Sequence, residues 1–136
     1  MAVNVPELFT DGTATTNGLR FAPTSVKGKQ LAPDATPLTY AAGTALGIIT
    51  ATGVWALWTN AATFGTGTNA IRGFLWPDEV TEHATETVLM NVMLAGTVNY
   101  NDIPLNGESA ANLKTALRLA AVRNAGFIVE DLDLVQ

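Results

Sequence analysis

The side chains with the greatest potential for chemistry lie in one short acidic segment, residues 78–86. The segment contains four carboxylates and His83, which is the one histidine of the chain. On a helix, Glu79 and His83 would share a face, as would Glu82 and Glu86, and such a set could hold a divalent cation. A lone histidine beside carboxylates is, however, common on acidic surfaces, where the charged groups stay in water. We therefore predict a solvated acidic loop, starting at Asp78, that bridges two strands and binds no metal.

Other classes of reaction lack the residues that they need. A Ser-His-Asp triad would have to be built around His83, and the G-x-S-x-G turn of many hydrolases is absent. The segment Gly65-Thr66-Gly67 is too short for a dinucleotide-binding fingerprint, and no phosphate-binding loop is present. The chain has no cysteine, so it offers neither a thiolate nor a disulfide. The sequence predicts a protein that is not an enzyme, with no catalytic residues and no cofactor.

Charge excludes further classes of partner. The net charge is −5 and only 14 % of the residues are charged, so the cationic surface that nucleic acid requires is missing. Residues 35–71 carry no charge at all, and the stretch 38–58 is long enough to test as a membrane span. Its glycines and threonines, with a turn at Thr52-Gly53, favour two strands instead. We predict neither nucleic acid nor membrane as a partner.

The apolar pattern predicts a mainly β domain of α+β type over residues 37–136. Strands are expected at 45–50, 54–58, 70–76 and 127–129. Residues 87–100 alternate with period two, and Gly96 interrupts that strand as a bulge or bend would in a curved sheet or barrel. One helix is expected at 109–125, because Leu113, Leu117 and the alanines between them recur at helical spacing after the N-cap Ser109.

Residues 1–36 are predicted to be an extended N-terminal arm. Three spaced prolines and several glycines interrupt them, and neither helical nor strand periodicity persists. Two interpretations remain open: a disordered terminus, or an arm that orders on a partner. Sparse apolar residues favour binding to a partner, with these as the candidate anchors: Val5, Leu8, Phe9, Leu19 and Phe21.

The uncharged run also predicts self-association. Its large aromatic residues could belong to the core, or they could anchor a contact between copies. Exposed together, they would exceed the apolar patch that soluble monomers usually tolerate. We predict a homotrimer with some of these aromatics at its interface: Tyr40, Trp55, Trp58 and Phe64.

From about residue 37 onward the chain resembles the head decoration proteins of lambda-type tailed phages. One likeness lies in Pro37-Leu38, in Ala-Gly-Thr-Ala-Leu-Gly at 42–47 and in Thr-Ala-Thr-Gly-Val-Trp at 50–55. A second is Ala-Ile-Arg-Gly-Phe-Leu-Trp at 70–76, and a third is the Gly96-centred strand and exit within 88–103. Residues 117–131 resemble the ending of longer members. The arm is longer than in the smallest members of that family, and the helix is additional.

The resemblance implies a small β-tulip-like domain that trimerises on the outside of the capsid. It also implies that the arm orders against the major capsid protein, often by adding a strand to its sheet. The expected location is the outer surface of the virion, after synthesis in the host cytoplasm. Two alternatives remain: another virion subunit, such as a tail-tube or fibre protein, or a glycan- or small-ligand-binding module built on Trp55, Trp58 and Trp76.

Overall fold

The strongest alternating stretch of the sequence forms the longest strand. The structure, a computed structural model, describes residues 20–60 and 68–131. Residues Val88–Asn99 are strand β7, which ends in a short 3₁₀ helix, Tyr100–Asp102. The other elements of the described residues are β1 (Ala22–Leu31), β2 (Thr39–Tyr40), β3 (Ala45–Ile48), β4 (Trp55–Leu57), β5 (Gly73–Leu75), β6 (Val80–Thr81), helix α1 (Ala110–Asn124) and β8 (Phe127–Glu130). This part of the chain is mainly β with one helix towards the C-terminus, which confirms the coarse prediction.

Strand β1 lies where the sequence predicted a flexible arm. It pairs antiparallel with β7 at nine positions, from Ala22 opposite Thr97 to Leu31 opposite Val88. A buried strand needs partners for its backbone N–H and C=O groups, and β1 supplies them to β7. The prediction of an arm over residues 1–36 is therefore wrong for residues 22–31, which belong to the domain. The residues of the predicted arm before Arg20 lie outside the described part of the chain.

Most of the strands form one mixed sheet with the order β1-β4-β3-β5-β7-β8, and β1 also pairs with β7. The pairings β1–β4 and β7–β8 are parallel, and the others in this sheet are antiparallel. The pairings of β1, β4, β3, β5 and β7 therefore form a ring, to which β8 is attached as an edge strand. A separate two-stranded sheet joins β2 to β6.

Neighbouring residues on the central strands face two different cores. On β3, Ala45 belongs to one apolar cluster and Leu46 to the other, and Phe74 and Leu75 of β5 divide in the same way. The first cluster lies between the sheet and helix α1, whose Leu113, Leu117 and Ala120 are buried in it. The second cluster draws a buried residue from each strand of the ring: Leu31, Trp55, Leu46, Leu75 and Val92. Because both faces of β3 and β5 are buried, the sequence there needs no charges.

Gly96 marks a bend in β7, as the sequence predicted. Its φ of +135° is rarely adopted by other residues, and a Cβ there would meet the β1 backbone at Ala22 and, at 2.7 Å, the Cα of Pro23. The register between β1 and β7 shifts twice close to this glycine. At the bend the even-numbered residues of β7 change from one cluster to the other. Met90 therefore lies in the second cluster, whereas Val98 lies in the first. The predicted period-two alternation therefore does not keep one parity on the same cluster along the whole strand.

Helix α1 begins and ends within one residue of the predicted bounds, 109–125. The side chain of Ser109 accepts a hydrogen bond from the N–H of Asn112 at 3.3 Å, and Ala125 closes the helix in the left-handed conformation before Gly126. Within the described residues, no helix is long and apolar enough to cross a membrane.

Candidate functional site

The acidic segment 78–86 forms neither a helix nor a cluster of ligands. Residues Val80–Thr81 are strand β6, so the i, i+4 pairs of carboxylates and histidine are not brought onto one helical face. Nδ1 of His83 accepts hydrogen bonds from the N–H groups of Thr85 and Glu86, both at 3.1 Å. Across the described residues, no three acidic or histidine side chains converge as metal ligands would. The imidazole therefore stabilises a local turn.

Glu82 instead joins β6 to β2. One carboxylate oxygen accepts from the N–H of Leu38 at 3.1 Å, and the other accepts from the hydroxyl of Tyr40 at 3.2 Å. The pKa of Tyr40 is raised to about 12. Burial is the largest cause, and the negative charges of Glu82 and Asp34 add to it. The phenol is therefore held in its neutral form as a hydrogen-bond donor.

The aromatic residues predicted for a trimer interface are part of the core. Tyr40, Trp55 and Trp58 are only 5 %, 6 % and 3 % exposed, so they cannot anchor a contact between copies, and that prediction is wrong for all three. Nε1 of Trp58 donates to the carbonyl of Asn69 at 3.0 Å. The fourth predicted residue, Phe64, lies outside the described residues.

The third tryptophan is also inside the domain. Trp76 stacks on Phe21 with ring centroids 5.4 Å apart, and both rings are buried. None of Trp55, Trp58 and Trp76 therefore offers an exposed platform on which a sugar ring could stack. The proposed glycan-binding surface built on these three residues is not formed.

Of the five predicted arm anchors, the structure describes one. Phe21 is completely buried in the first cluster, so its assignment as a partner-binding anchor is wrong. The other four, Val5, Leu8, Phe9 and Leu19, lie outside the described residues.

The chain enters the described domain at a fixed point, Arg20. Its N–H donates to Oδ2 of Asp102 at 2.7 Å, and its guanidinium contacts the same carboxylate through Nε at 3.1 Å and Nη2 at 3.3 Å. The Asp102 side chain is only 4 % exposed, so this ion pair is shielded from water. These contacts hold Arg20, the first described residue, against the 3₁₀ helix that follows β7.

Exposed apolar side chains, which sequence reasoning did not identify, mark the outer surface of α1. Leu119 and Val122 are 49 % and 81 % exposed. The signal was available in the sequence, because Leu119 and Val122 lie off the apolar stripe that packs on the sheet. A helix that is apolar on its outer side as well is typical of a surface covered by a partner.

A groove of about 500 Å³ adjoins this surface, between α1 and residues 69–72. Its lining residues include Leu119, Ile71, Arg72 and Arg123. The side-chain amide of Asn124 donates to the carbonyl of Ile71 at 3.2 Å and holds the two walls together. The groove is therefore lined by apolar, polar and basic residues together.

Glu108 lies beside Asn60 and Asn112, which also line the groove, and it is already engaged. One of its carboxylate oxygens accepts from the backbone N–H of Asn60 at 3.1 Å and from the hydroxyl of Thr59 at 3.3 Å. The other oxygen accepts from the Asn112 side chain at 3.5 Å. Arg72 and Arg123 form no ion pair with any carboxylate of the described residues.

No model of a known protein family matches the chain, and no curated protein matches it.

Proposed function

We propose that the chain is a decoration protein that binds the outer surface of an expanded phage head and stabilises it. The supporting observation is where the segments that resemble lambda-type decoration proteins lie. Residues 42–47 include most of β3, residues 70–76 contain β5 and residues 88–103 contain β7. β3 pairs with β5, and β5 pairs with β7, so the resemblance follows one continuous part of the sheet.

The finer architecture, a small β-tulip- or barrel-like domain, is part of this proposal. It is supported by the ring of pairings that links β1, β4, β3, β5 and β7. It is supported also by the second cluster, to which every strand of the ring contributes a buried side chain, as the inside of a small barrel requires.

The proposed capsid-binding arm is now residues 1–19. It carries Val5, Leu8, Phe9 and Leu19, and it joins the domain at the Arg20–Asp102 ion pair. The proposed partner of these residues is the major capsid protein. A protein that binds only the expanded shell stabilises that shell by mass action, and several linked copies on one lattice bind more firmly than one. This function requires no catalytic residue and no cofactor.

The alternative of a tail-tube or fibre subunit is distinguished by how copies assemble. Such a subunit should form open polymers, whereas a decoration protein should stop at a closed trimer. Light scattering on the purified chain separates the two. The ligand-binding alternative loses its structural basis, because the tryptophans on which it depended are buried.

The experiment that tests the capsid-binding role is removal of residues 1–19. We expect the truncated protein to keep its cooperative unfolding transition and to lose affinity for expanded heads in a co-sedimentation assay. A matched control carries residues 1–19 in scrambled order, so that composition and charge are unchanged. Within the arm, Phe9→Ala should weaken binding by about 1–3 kcal/mol if that ring is buried on the capsid.

Unchanged binding after removal of residues 1–19 would contradict the arm's role. Full binding by the scrambled control would show that the contact does not depend on the order of the anchors, which would contradict it as well.

A further inference from the structure

A tight turn between the 3₁₀ helix and α1 carries an asparagine followed by a glycine. The N–H of Glu108 donates to the carbonyl of Leu105 at 2.9 Å, so Asn106 and Gly107 are the two central residues of this turn. Their φ angles are both positive, 50° and 90°, as in a type I′ turn. Asn-Gly is the preferred pair for that turn, because both residues tolerate a positive φ. The backbone conformation explains why the dipeptide is present, and its chemical reactivity is a separate property.

The surroundings of the turn leave this dipeptide open to reaction. Asparagine is a labile residue, because its side-chain amide can be attacked by the backbone nitrogen of the next residue. A side chain on that next residue hinders the approach of the nitrogen to Cγ, and glycine has none. Asn106 and Gly107 are both exposed, and no heavy atom beyond the chain neighbours of Gly107 lies within 4 Å of where its Cβ would be. The described part of the chain therefore neither blocks the attack nor excludes water from it.

We propose that Asn106 is a site of spontaneous deamidation in the folded protein, with water as the co-reactant. The backbone nitrogen of Gly107 forms a bond to Cγ of Asn106, the bond from Cγ to Nδ2 breaks, and the proton of the Gly107 nitrogen leaves with Nδ2 as ammonia. Water then opens the resulting succinimide ring. Cleavage between the nitrogen and Cγ gives aspartate, whereas cleavage between the nitrogen and the main-chain carbonyl carbon gives isoaspartate, whose main chain runs through Cγ. The net change converts an amide and water into a carboxylate and an ammonium ion, and nothing is oxidised or reduced.

The turn should slow this reaction without preventing it. Its hydrogen bond restricts rotation about the backbone bonds of Asn106, and the attack needs that rotation to bring the nitrogen over Cγ. The turn is at the surface, however, and Leu105 before it is 41 % exposed, so the turn can open locally while both apolar clusters stay packed. We therefore expect Asn106 to react more slowly in the folded chain than in the unfolded chain, but faster than an exposed asparagine that precedes a residue with a side chain.

Deamidation would change a contact between the turn and the residue before β3. Nδ2 of Asn106 donates to Oγ1 of Thr44 at 3.5 Å, and that hydroxyl donates in turn to the carbonyl of Ala41 at 2.6 Å. Thr44 is completely buried, and its hydroxyl has a single proton to donate. A carboxylate at position 106 cannot donate, so it either faces the hydroxyl oxygen with no proton between them or draws the hydroxyl away from Ala41. The deamidated chain should therefore be less stable than the original one.

The first experiment follows the reaction in the full-length chain. The protein is kept for several weeks in mildly alkaline buffer, with and without urea, and is then digested for mass spectrometry and for enzymatic detection of isoaspartate. Asn69 is the internal control, because it is also exposed but precedes an alanine. In the folded protein Asn106 should convert on the order of tenfold faster than Asn69. Asn106→Gln should form no isoaspartate at this position on that timescale, because its longer side chain must close a larger ring.

The second pair of Asn and Gly in the chain, Asn17-Gly18, lies outside the described residues. Cleavage after Arg20 places it in a different peptide from Asn106, so the two sites are scored separately.

The second experiment measures the consequence by urea unfolding of Asn106→Asp. At neutral pH its unfolding midpoint should lie below that of the wild type. The difference should shrink below about pH 4, where the carboxyl group is protonated and can again donate to Thr44. The matched control is Asn69→Asp, which makes the same change of charge at another exposed asparagine and should shift the midpoint less.

Two results would overturn the proposed site: an Asn106 that converts no faster than Asn69 in the folded protein, or one that converts in urea alone. An Asn106→Asp variant as stable as the wild type would overturn the role of the Thr44 contact. The capsid-binding role is tested separately by removal of residues 1–19, and neither experiment on Asn106 depends on it.

Discussion

Replacement of Phe21 separates a core residue from a partner-binding anchor. The ring is fully buried, stacks on Trp76 and meets Phe74 edge to face with centroids 6.0 Å apart. Truncation of a buried phenylalanine to alanine removes its contacts and leaves a cavity, at a cost of about 3–5 kcal/mol. Since small domains are stable by only about 5–15 kcal/mol, Phe21→Ala should unfold at much lower denaturant concentration.

The assay is urea unfolding followed by circular dichroism, with the free energy of unfolding extrapolated to water. Phe21→Leu keeps part of the volume and should cost less, which provides a measurement if the alanine variant does not fold. The control is Val122→Ala, because this side chain is 81 % exposed and its truncation should change stability by no more than about 0.5 kcal/mol. A loss below about 1 kcal/mol for Phe21→Ala would refute the placement of this ring in the core.

Three further changes test the bend, the domain boundary and the buried phenol. Gly96→Ala should lower the free energy of unfolding by about 2–6 kcal/mol, because Gly96 has a positive φ and the β1 backbone lies close to it. Gly53→Ala should lower it by only about 1–2 kcal/mol, because Gly53 also has a positive φ but has open space around it. Equal losses for the two variants would contradict the close approach of β1 to Gly96. Removal of residues 1–19 should preserve cooperative unfolding, whereas removal of residues 1–36 should abolish it because it deletes β1. A chain that lacks residues 1–36 and still unfolds cooperatively would support the original prediction of an arm over residues 1–36. The pKa of Tyr40 is raised from 10.0 to about 12, so the folded state holds its proton more tightly than the unfolded state does. The contribution of Tyr40 to the free energy of unfolding should therefore be full below pH 10 and should be lost as the pH rises towards 12. Tyr40→Phe should remove that part of the decline, and an unchanged profile would contradict the raised pKa.

Local periodicity was sufficient to predict the elements whose own sequence defines them. β7 and α1 are found within one residue of their predicted bounds, because alternation and helical spacing persist over many residues there. β1 was missed because its Pro23, Gly28 and two lysines are unfavourable for a strand, and it is formed by pairing with β7. The two-residue strands β2 and β6 likewise depend on each other and carry no local signal.

The aromatic residues show why burial could not be read from composition. The uncharged run 35–71 predicts more apolar surface than one small domain can enclose. Strands β3 and β5 instead bury both of their faces, so the run supplies residues to two clusters, and Trp58 and Trp55 divide between them. A period-two pattern identifies one buried face, but it cannot reveal that the second face is covered as well.

The groove between α1 and residues 69–72 was beyond sequence reasoning for a different reason. Arg72 and Arg123 are far apart in the chain and come together only because α1 packs beside residues 69–72, where Asn124 bonds to Ile71. Nothing in either local sequence marks the pair. That neither arginine forms an ion pair with a described carboxylate is likewise a property of the folded domain.

The most direct test of the proposed function is co-sedimentation of the full-length chain with two forms of one capsid. Heads assembled from the major capsid protein of the genome that encodes this chain would be prepared in the unexpanded and the expanded state. The account predicts saturable binding to expanded heads and none to unexpanded heads, with bound protein raising the temperature at which the expanded shell dissociates. Equal binding to both forms, or no binding to either, would contradict it.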